Sequence, residues 1–322
     1  MNVYPLKDAE REVLNKISIG ILSTYNLTPL PNLPFQKALS NEVEDLLTLC
    51  DGNDPESLIA VRKRRKLSEC VTDEQLMPTV FELDCGRLIL AHVCRNHFDE
   101  TLIEIFSDQV IDLSCLKDLA PVLLERFSWA NAKYFDVWQQ PNSEISHSLM
   151  DLPGSVAWDC FVAASKNMLA LETDVNISLQ RFDIDKNWHW YQREYKAFHQ
   201  ERPELTESVA IEDKDDVIEA IENGLCDIAY YKGQPIAMIM AEQSSELGYK
   251  GLLFSDILVA KEFRGQSLGS QVQREFIKKH INEYDLFLGF IDYSNKASLK
   301  NAAKQGRQLL RQEIGVLTEH FK

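Results

Sequence analysis

Between Gly251 and Gly306 two mostly apolar runs, GLLFSDILVA and DLFLGFID, stand on either side of a glycine-bearing turn and a helical stretch. Continuous apolar runs bounded by turn residues read as strands covered on both faces, because only a buried sheet tolerates apolar side chains on each side. Residues 271–281 read as the helix between them, and residues 295–305 as a basic helix closed by Gly306. Upstream, CDIAYY, the turn KGQ and PIAMIMAEQ form a hairpin. The helix 214–222, stopped by Asn223-Gly224, precedes it. Before that helix come the short strand ISLQRF and an aromatic-rich helix over 187–200. A chain built on this pattern folds as α/β, with a mixed, mostly antiparallel sheet flanked by helices.

The first half follows the same order. A hairpin opens at Thr79 (TVFELD, Cys85-Gly86, RLILAHV), and ETLIEIFSDQV is the third strand. A helix covers 116–129, and AKYFDVWQQ is a further strand ending at Pro141-Asn142. Ahead of them, NLTPLPNLP interrupts any long amino-terminal helix. This parallel suggests a divergent tandem duplication of two domains, 1–170 and 171–322, divided between Met168 and Asn176. A non-duplicated amino-terminal domain is the alternative.

The formal charge of the 322 residues is −16, and both halves share the excess of acid. Backbone binding to nucleic acid needs a concentrated positive surface, so no nucleic-acid partner is expected. No apolar run is long enough for a helical membrane span, and the charged start MNVYPLKDAEREVL lacks a signal peptide's apolar core, so no membrane partner is expected. Seven cysteines (Cys50, Cys70, Cys85, Cys94, Cys115, Cys160, Cys226) without a close CxxC pair point to a reducing, cytoplasmic setting. His92, Cys94 and His97 alternate inconsistently through a strand, and His189 and His199 lack acidic companions, so no metal is expected. The basic run Arg62 to Lys66 reads as a solvated helix face.

One segment carries a chemical signature. In LVAKEFRGQSLGS, residues 258–270, a strand runs into a turn that opens a helix. Unpaired N–H groups there converge with the helix dipole into a nest for phosphate, and Gly265 and Gly269 allow close backbone approach. Neither GxGxxG nor a Walker-type GK[ST] is present. A plain strand-to-helix connection is the competing reading of this turn.

Residues 264–269 resemble the coenzyme A pyrophosphate loop of the GCN5-related N-acetyltransferase (GNAT) family, Arg/Gln-x-x-Gly-x-Gly/Ala. FSDILVAKEFRG resembles that family's fourth strand and following loop. DLFLGFIDYSNKASLKNAAKQG resembles its fifth strand, Asn-led turn and helix. The likeness is clear for 226–306 and extends over roughly 177–322. It implies a GNAT-like fold, tandem if the duplication holds, and acetyl-coenzyme A as acyl-donor substrate. It implies pantetheine contacts from Leu258, Val259 and Ala260. Pyrophosphate contacts would come from Arg264, Gly265, Gln266, Ser267, Leu268, Gly269 and Ser270, with Asn295 near the coenzyme.

Two departures stand out. Ser267 replaces the loop's central glycine, and Ala302 stands where a general-acid tyrosine is common, with Gly306-Arg307 in place of Gly-Phe. Tyr293 and Ser294 are the nearby alternatives for the acid. For the base or substrate anchor, Asp256 interrupts the apolar strand and Glu242 ends the preceding one; burying a lone carboxylate is costly unless it serves a cleft or a partner. The resulting expectation is an acetyl-coenzyme A-dependent N-acetyltransferase acting by direct transfer to a small-molecule amine or a lysine side chain. Its oligomeric state is open. The rivals are a coenzyme-binding regulatory module without catalysis and a non-catalytic interaction protein. In the first half Asp108, Asp112 and Asp118 occupy the stretch where a pyrophosphate would need neutral or positive groups, so that copy is expected to bind coenzyme poorly.

Overall fold

The computed structural model describes residues 1–30, 32–51, 54–68 and 71–322. Of the residues named above, Cys70 lies outside them. In chain order the elements are β1 (Asn2–Pro5), α1 (Arg11–Ser23), α2 (Phe35–Thr48), α3 (Pro55–Arg65), α4 (Asp73–Leu76), β2 (Thr79–Glu82), β3 (Leu88–Arg95) and β4 (Thr101–Ser107). There follow α5 (Leu113–Arg126), β5 (Tyr134–Gln139), α6 (Glu144–Met150), β6 (Val156–Ser165), β7 (Ile177–Arg181) and α7 (Ile184–Glu201). The last are α8 (Lys214–Glu222), β8 (Cys226–Tyr231), β9 (Gln234–Ser244), β10 (Gly251–Val259), α9 (Leu268–His280), β11 (Leu286–Asp292), α10 (Lys296–Lys304) and β12 (Gln308–Leu317).

These elements form two units. One comprises Met1–Leu27, Leu33–Trp158 and Arg311–Lys322, and the other Thr28–Asn32 and Asp159–Leu310. The expectation of a single boundary between Met168 and Asn176 gives way to four crossings, at 27–28, 32–33, 158–159 and 310–311. For the last two the physical reason is sheet completion. β6 pairs with β11 from Asp159 to Ser165 in the second unit, and β12 pairs with β5 in the first.

Each unit has the expected mixed, mostly antiparallel sheet. The first runs β1-β2-β3-β4-β5-β12 and the second β6-β11-β10-β9-β8-β7. The parallel pairs are β4–β5 and β10–β11. The β8–β9 hairpin turns through Lys232 and Gly233, both at positive φ (51° and 78°), the mirror-image turn that matches strand twist. β6 and β12 escaped the sequence reading. β12 places Arg311 and Gln312 in buried positions, which breaks the apolar alternation that would mark a strand.

In the second unit one sheet face packs Ile239, Phe254, Phe287 and their neighbours against Val272 and Phe276 of α9. The other packs Met238, Met240 and Leu258 under Tyr191 and Tyr195 of α7 and Val217 of α8. The first unit buries Ile103, Ile105 and Phe135 beneath Leu116, Leu119 and Leu123 of α5.

Candidate active site

Parallel pairing joins Gly251–Leu253 of β10 to Leu286–Leu288 of β11 and, among the described residues, goes no further, although β10 continues to Val259 and β11 to Asp292. Past this point the two strands part. The Ala260 N–H donates to Ile236 O at 2.8 Å. Antiparallel alternation then turns the amides of Ile257 and Val259 away from β9, toward the gap. The same alternation turns the Leu258 backbone toward β9, the Ala260 carbonyl accepts from Phe263 N–H at 2.9 Å, and the Leu258 side chain packs beneath α7 and α8.

Beyond β10, Gly265 takes φ +76° and Ser267 φ +61°, ψ 12°. The serine therefore occupies the left-handed region that favours glycine, at a cost of about 1 kcal/mol. Leu268 opens α9, and no side chain caps the helix. The Ser270 hydroxyl donates to Ser267 O at 2.8 Å, and Leu268 is buried in the α9-side core. A Cβ on Gly269 would stand 3.1 Å from Val259 Cγ2 and 3.4 Å from Asn301 Nδ2, so glycine lets α9 approach the end of β10. The first turn of α9 has no acidic residue, which suits a phosphate.

Arg264 does not point its charge into this nest. Its guanidinium donates to Val259 O (2.8 Å), Glu194 O (3.2 Å) and Glu201 Oε2 (2.5 Å), and lies over the Phe198 ring. It ties α7 to the end of β10. The Glu194 carboxylate accepts the Lys261 N–H at 3.0 Å, reinforcing the tie. The Gln266 side chain donates to Glu262 O. Asn295 caps α10, its carboxamide oxygen accepting from Ser298 N–H at 3.2 Å. Tyr293 is exposed, with Lys296 Nζ 3.2 Å from its ring centre, and Ala302 is fully buried.

Asp256 lies at a β-bulge. Phe254 pairs with Ala241 and Asp256 with Met240, leaving Ser255 extra. The extra residue resets the alternation, so Phe254 faces α9 while Asp256 faces α7. Tyr191 and Tyr195, one turn apart on α7, donate their hydroxyls to the two carboxylate oxygens at 2.6 and 2.9 Å. Burial raises the Asp256 carboxyl to about 6, against the lowering pull of the tyrosine hydroxyls and the Ile257 N–H. Burial and Asp256 push both phenols well above their ordinary range, so they remain donors.

Two more acids share this face. Glu242 is exposed on β9, next to the buried Ala241. Glu212, just ahead of α8, is half-buried, and its N–H donates to the Tyr191 hydroxyl at 3.3 Å. Burial, then Asp256, Asp216 and Glu242, raise its carboxyl to about 7. The sequence reading passed over Glu212 because nothing distinguishes it within IEDKDD. The four-residue spacing of Tyr191 and Tyr195 is the signal that would have put both on one helix face. A shallow cavity of about 510 Å³ opens against Tyr195, lined also by Gln192, Lys196, His199, Gln200 and Ile211.

The matching region of the first unit has an equally short parallel pair but a different helix start. β4–β5 pairing covers Leu102–Glu104 with Tyr134–Asp136. There the helix start carries an anion, as Asp112 caps α5 by accepting the Cys115 N–H at 2.7 Å. Asp108 accepts from Leu88 N–H at 3.0 Å. Gly20 of α1 sits so close to the end of β4 that a Cβ there would fall 1.8 Å from Ser107 O. His92 pairs with Glu104 at 2.7 Å, and Arg62 with Asp73 at 2.6 Å. Among the described residues no group of three or more His, Cys, Asp or Glu is arranged to hold a metal, and no helix is long and apolar enough to cross a membrane.

A mixed sheet with a parting parallel pair, and a helix that starts in a glycine-bearing turn beside the gap, are features the GNAT resemblance implies. Residues 184–306 match the model of the acetyltransferase (GNAT) family. The chain thus carries a GNAT domain in its carboxy-terminal unit. A GCN5-related N-acetyltransferase from Sphaerobacter thermophilus is similar over 98% of this chain and 94% of that one, with a TM-score of 0.52 at 12% identity. A tandem GNAT protein from the clavulanic acid biosynthesis pathway is similar over 98% of both chains, with a TM-score of 0.50 at 11% identity. At such identities the likeness is one of fold, and it spans both units as a tandem GNAT-like architecture. No curated protein matches the chain in sequence.

Proposed function

We propose that the carboxy-terminal unit is an acetyl-coenzyme A-dependent N-acetyltransferase working by direct transfer to an amine, either a small molecule or a lysine side chain. The observation that carries the reading is the gap between β10 and β11, which ends at the uncapped start of α9 and has Asp256 at its bulge. The N–H groups of Gly265 through Ser270 would hold the pyrophosphate, and the Val259 amide the pantetheine arm. From Ala260 back to Asp256 is about 13 Å of strand, which brings the far end of the arm to the bulge. Arg264 acts as a tie, and Asn295 shapes the start of α10.

The carboxylates of Asp256, Glu212 and Glu242 favour a cationic acceptor and draw its proton. The neutral amine nitrogen attacks the thioester carbon, the C–N bond forms, and the C–S bond breaks. The second proton shed by the nitrogen goes to the departing thiolate, with Tyr293 or Ser294 as the nearby hydroxyls. The first unit acts as scaffold, its helix start already occupied by Asp112.

Acetyl-coenzyme A should raise the melting temperature of the wild type and do so much less for Gly269→Val, whose side chain meets Val259 and Asn301. An unchanged wild-type melting temperature sinks the proposal. The buried Ala302 favours one second reading, a coenzyme-binding module without turnover. Thiol release with an amine panel separates the two.

A further inference from the structure

We propose that Glu212 is the catalytic residue that takes the proton from the acceptor ammonium, and that Asp256 acts through it as a positioning residue. This rests on the reading of the unit as an acyltransferase. Three carboxylates share the α7-covered face, and their surroundings separate their roles. Asp256 is 7% exposed and its two oxygens accept the hydroxyls of Tyr191 and Tyr195, so it is covered by α7 and offers an incoming ammonium little access. Glu242 stands in open solvent on β9. Glu212 alone is half-buried, with its carboxylate within electrostatic reach of Asp256 and Glu242.

The groups facing Glu212 are Tyr191 and Tyr195 from α7, Asp256 from β10, Glu242 from β9, and Asp213 and Asp216 from its own stretch and α8. All the ionisable partners that shift it are acids, and burial acts in the same direction. Its carboxyl is held near 7, where a base at neutral pH is half available and still basic enough to take a proton. The bonds run in one chain, Glu212 N–H to the Tyr191 hydroxyl and that hydroxyl to Asp256. Asp256 therefore fixes the Glu212 backbone and supplies the charge that keeps its carboxyl basic. In the step, the ammonium N–H bond breaks and its proton joins a Glu212 oxygen. The freed electron pair then attacks the thioester carbon.

Two measurements test this. With 13C-labelled glutamate, the resonance lost in Glu212→Gln should titrate near pH 7 in wild type and at lower pH in Asp256→Asn. With acetyl-coenzyme A and spermidine, tyramine and N-acetyl-lysine methylamide as acceptors, Glu212→Gln should lower kcat by 100-fold or more while keeping the coenzyme-induced melting shift. Asp256→Asn should lower kcat less than Glu212→Gln does and move the acidic limb of kcat/KM downward, as expected of a residue that acts through Glu212. Glu212→Asp should recover part of the rate. The inference fails if Glu212→Gln retains turnover within threefold, or if Asp256→Asn abolishes turnover and leaves the Glu212 titration unmoved. A coenzyme shift without transfer to any of the three amines removes the catalytic role. Absence of the shift in wild type overturns the acyltransferase reading itself.

Discussion

Removing the Gln273 side-chain acceptor should destabilise the protein by about 1.5–3 kcal/mol, because it takes one of two hydrogen-bond acceptors from a buried cation. Arg307, where the family resemblance leads one to expect phenylalanine, is 3% exposed. No carboxylate neutralises it among the described residues. Its Nη2 donates to Gln273 Oε1 at 2.6 Å and Gln305 Oε1 at 3.0 Å, the guanidinium lies 4.5 Å from the Phe254 ring centre, and Nε has no partner. Burial pulls the guanidinium down from its ordinary value to about 9, so it is charged at neutral pH. Because the folded value is the lower one, the unfolded chain holds the proton more tightly. The charging penalty is therefore in force at every pH below about 9 and fades as pH rises beyond it toward the ordinary guanidinium range. A shift of that size corresponds to about 5 kcal/mol. Charge-assisted hydrogen bonds of about 1.5–3 kcal/mol and a cation–π contact of about 2 kcal/mol offset it. Arg307→Met should accordingly lie within about 1 kcal/mol of wild type. Gln273→Leu alone should cost more, and the double variant should recover most of the loss. Urea denaturation followed by circular dichroism gives all four corners of the cycle. A Gln273→Leu cost under 1 kcal/mol, or strict additivity in the double variant, would refute the reasoning.

Further outcomes concern other residues. Asp136 is buried on β5, and burial, then Glu313 and Glu104, hold its carboxyl well above the ordinary value. Its bound proton stabilises the fold at low pH and is lost as pH rises. Asp136→Asn should therefore gain on wild type progressively from about pH 4 upward in thermal melts, and a constant difference would contradict this. Ser267→Gly should retain the coenzyme-induced melting shift, whereas Ser267→Val, with a β-branched side chain at φ +61°, should lose about 1–2 kcal/mol and most of that shift. Arg264→Ala should weaken both stability and coenzyme binding by freeing α7 from β10. If it reduced binding alone, Arg264 would be a direct phosphate contact.

Much of the site's frame was legible in the chain. GLLFSDILVA, the turn RGQSLG and DLFLGFID mark β10, the start of α9 and β11, because apolar continuity and glycine placement are local properties. Asp256 was visible as the lone acid in an apolar strand. Glu212 was not, since an acid in an acidic loop gains meaning only from what folds against it. The seating of Arg264 was also hidden. Its partners Glu194 and Glu201 lie on α7, far away in sequence, and they turn an expected phosphate ligand into a tie.

The order of strands and helices, the two-fold repetition and the glycine-bearing turn follow from side-chain periodicity and backbone preference, which a linear chain displays. Strand exchange, bulge and proton-handling geometry do not. β6 and β12 join sheets remote from their sequence neighbours, and one extra residue at Ser255 decides which face Asp256 sees. Hydrogen-bond register and burial are set by contacts between distant segments. The same carboxylate could have faced α9 or α7, and the folded sheet turns it to the two tyrosines of α7.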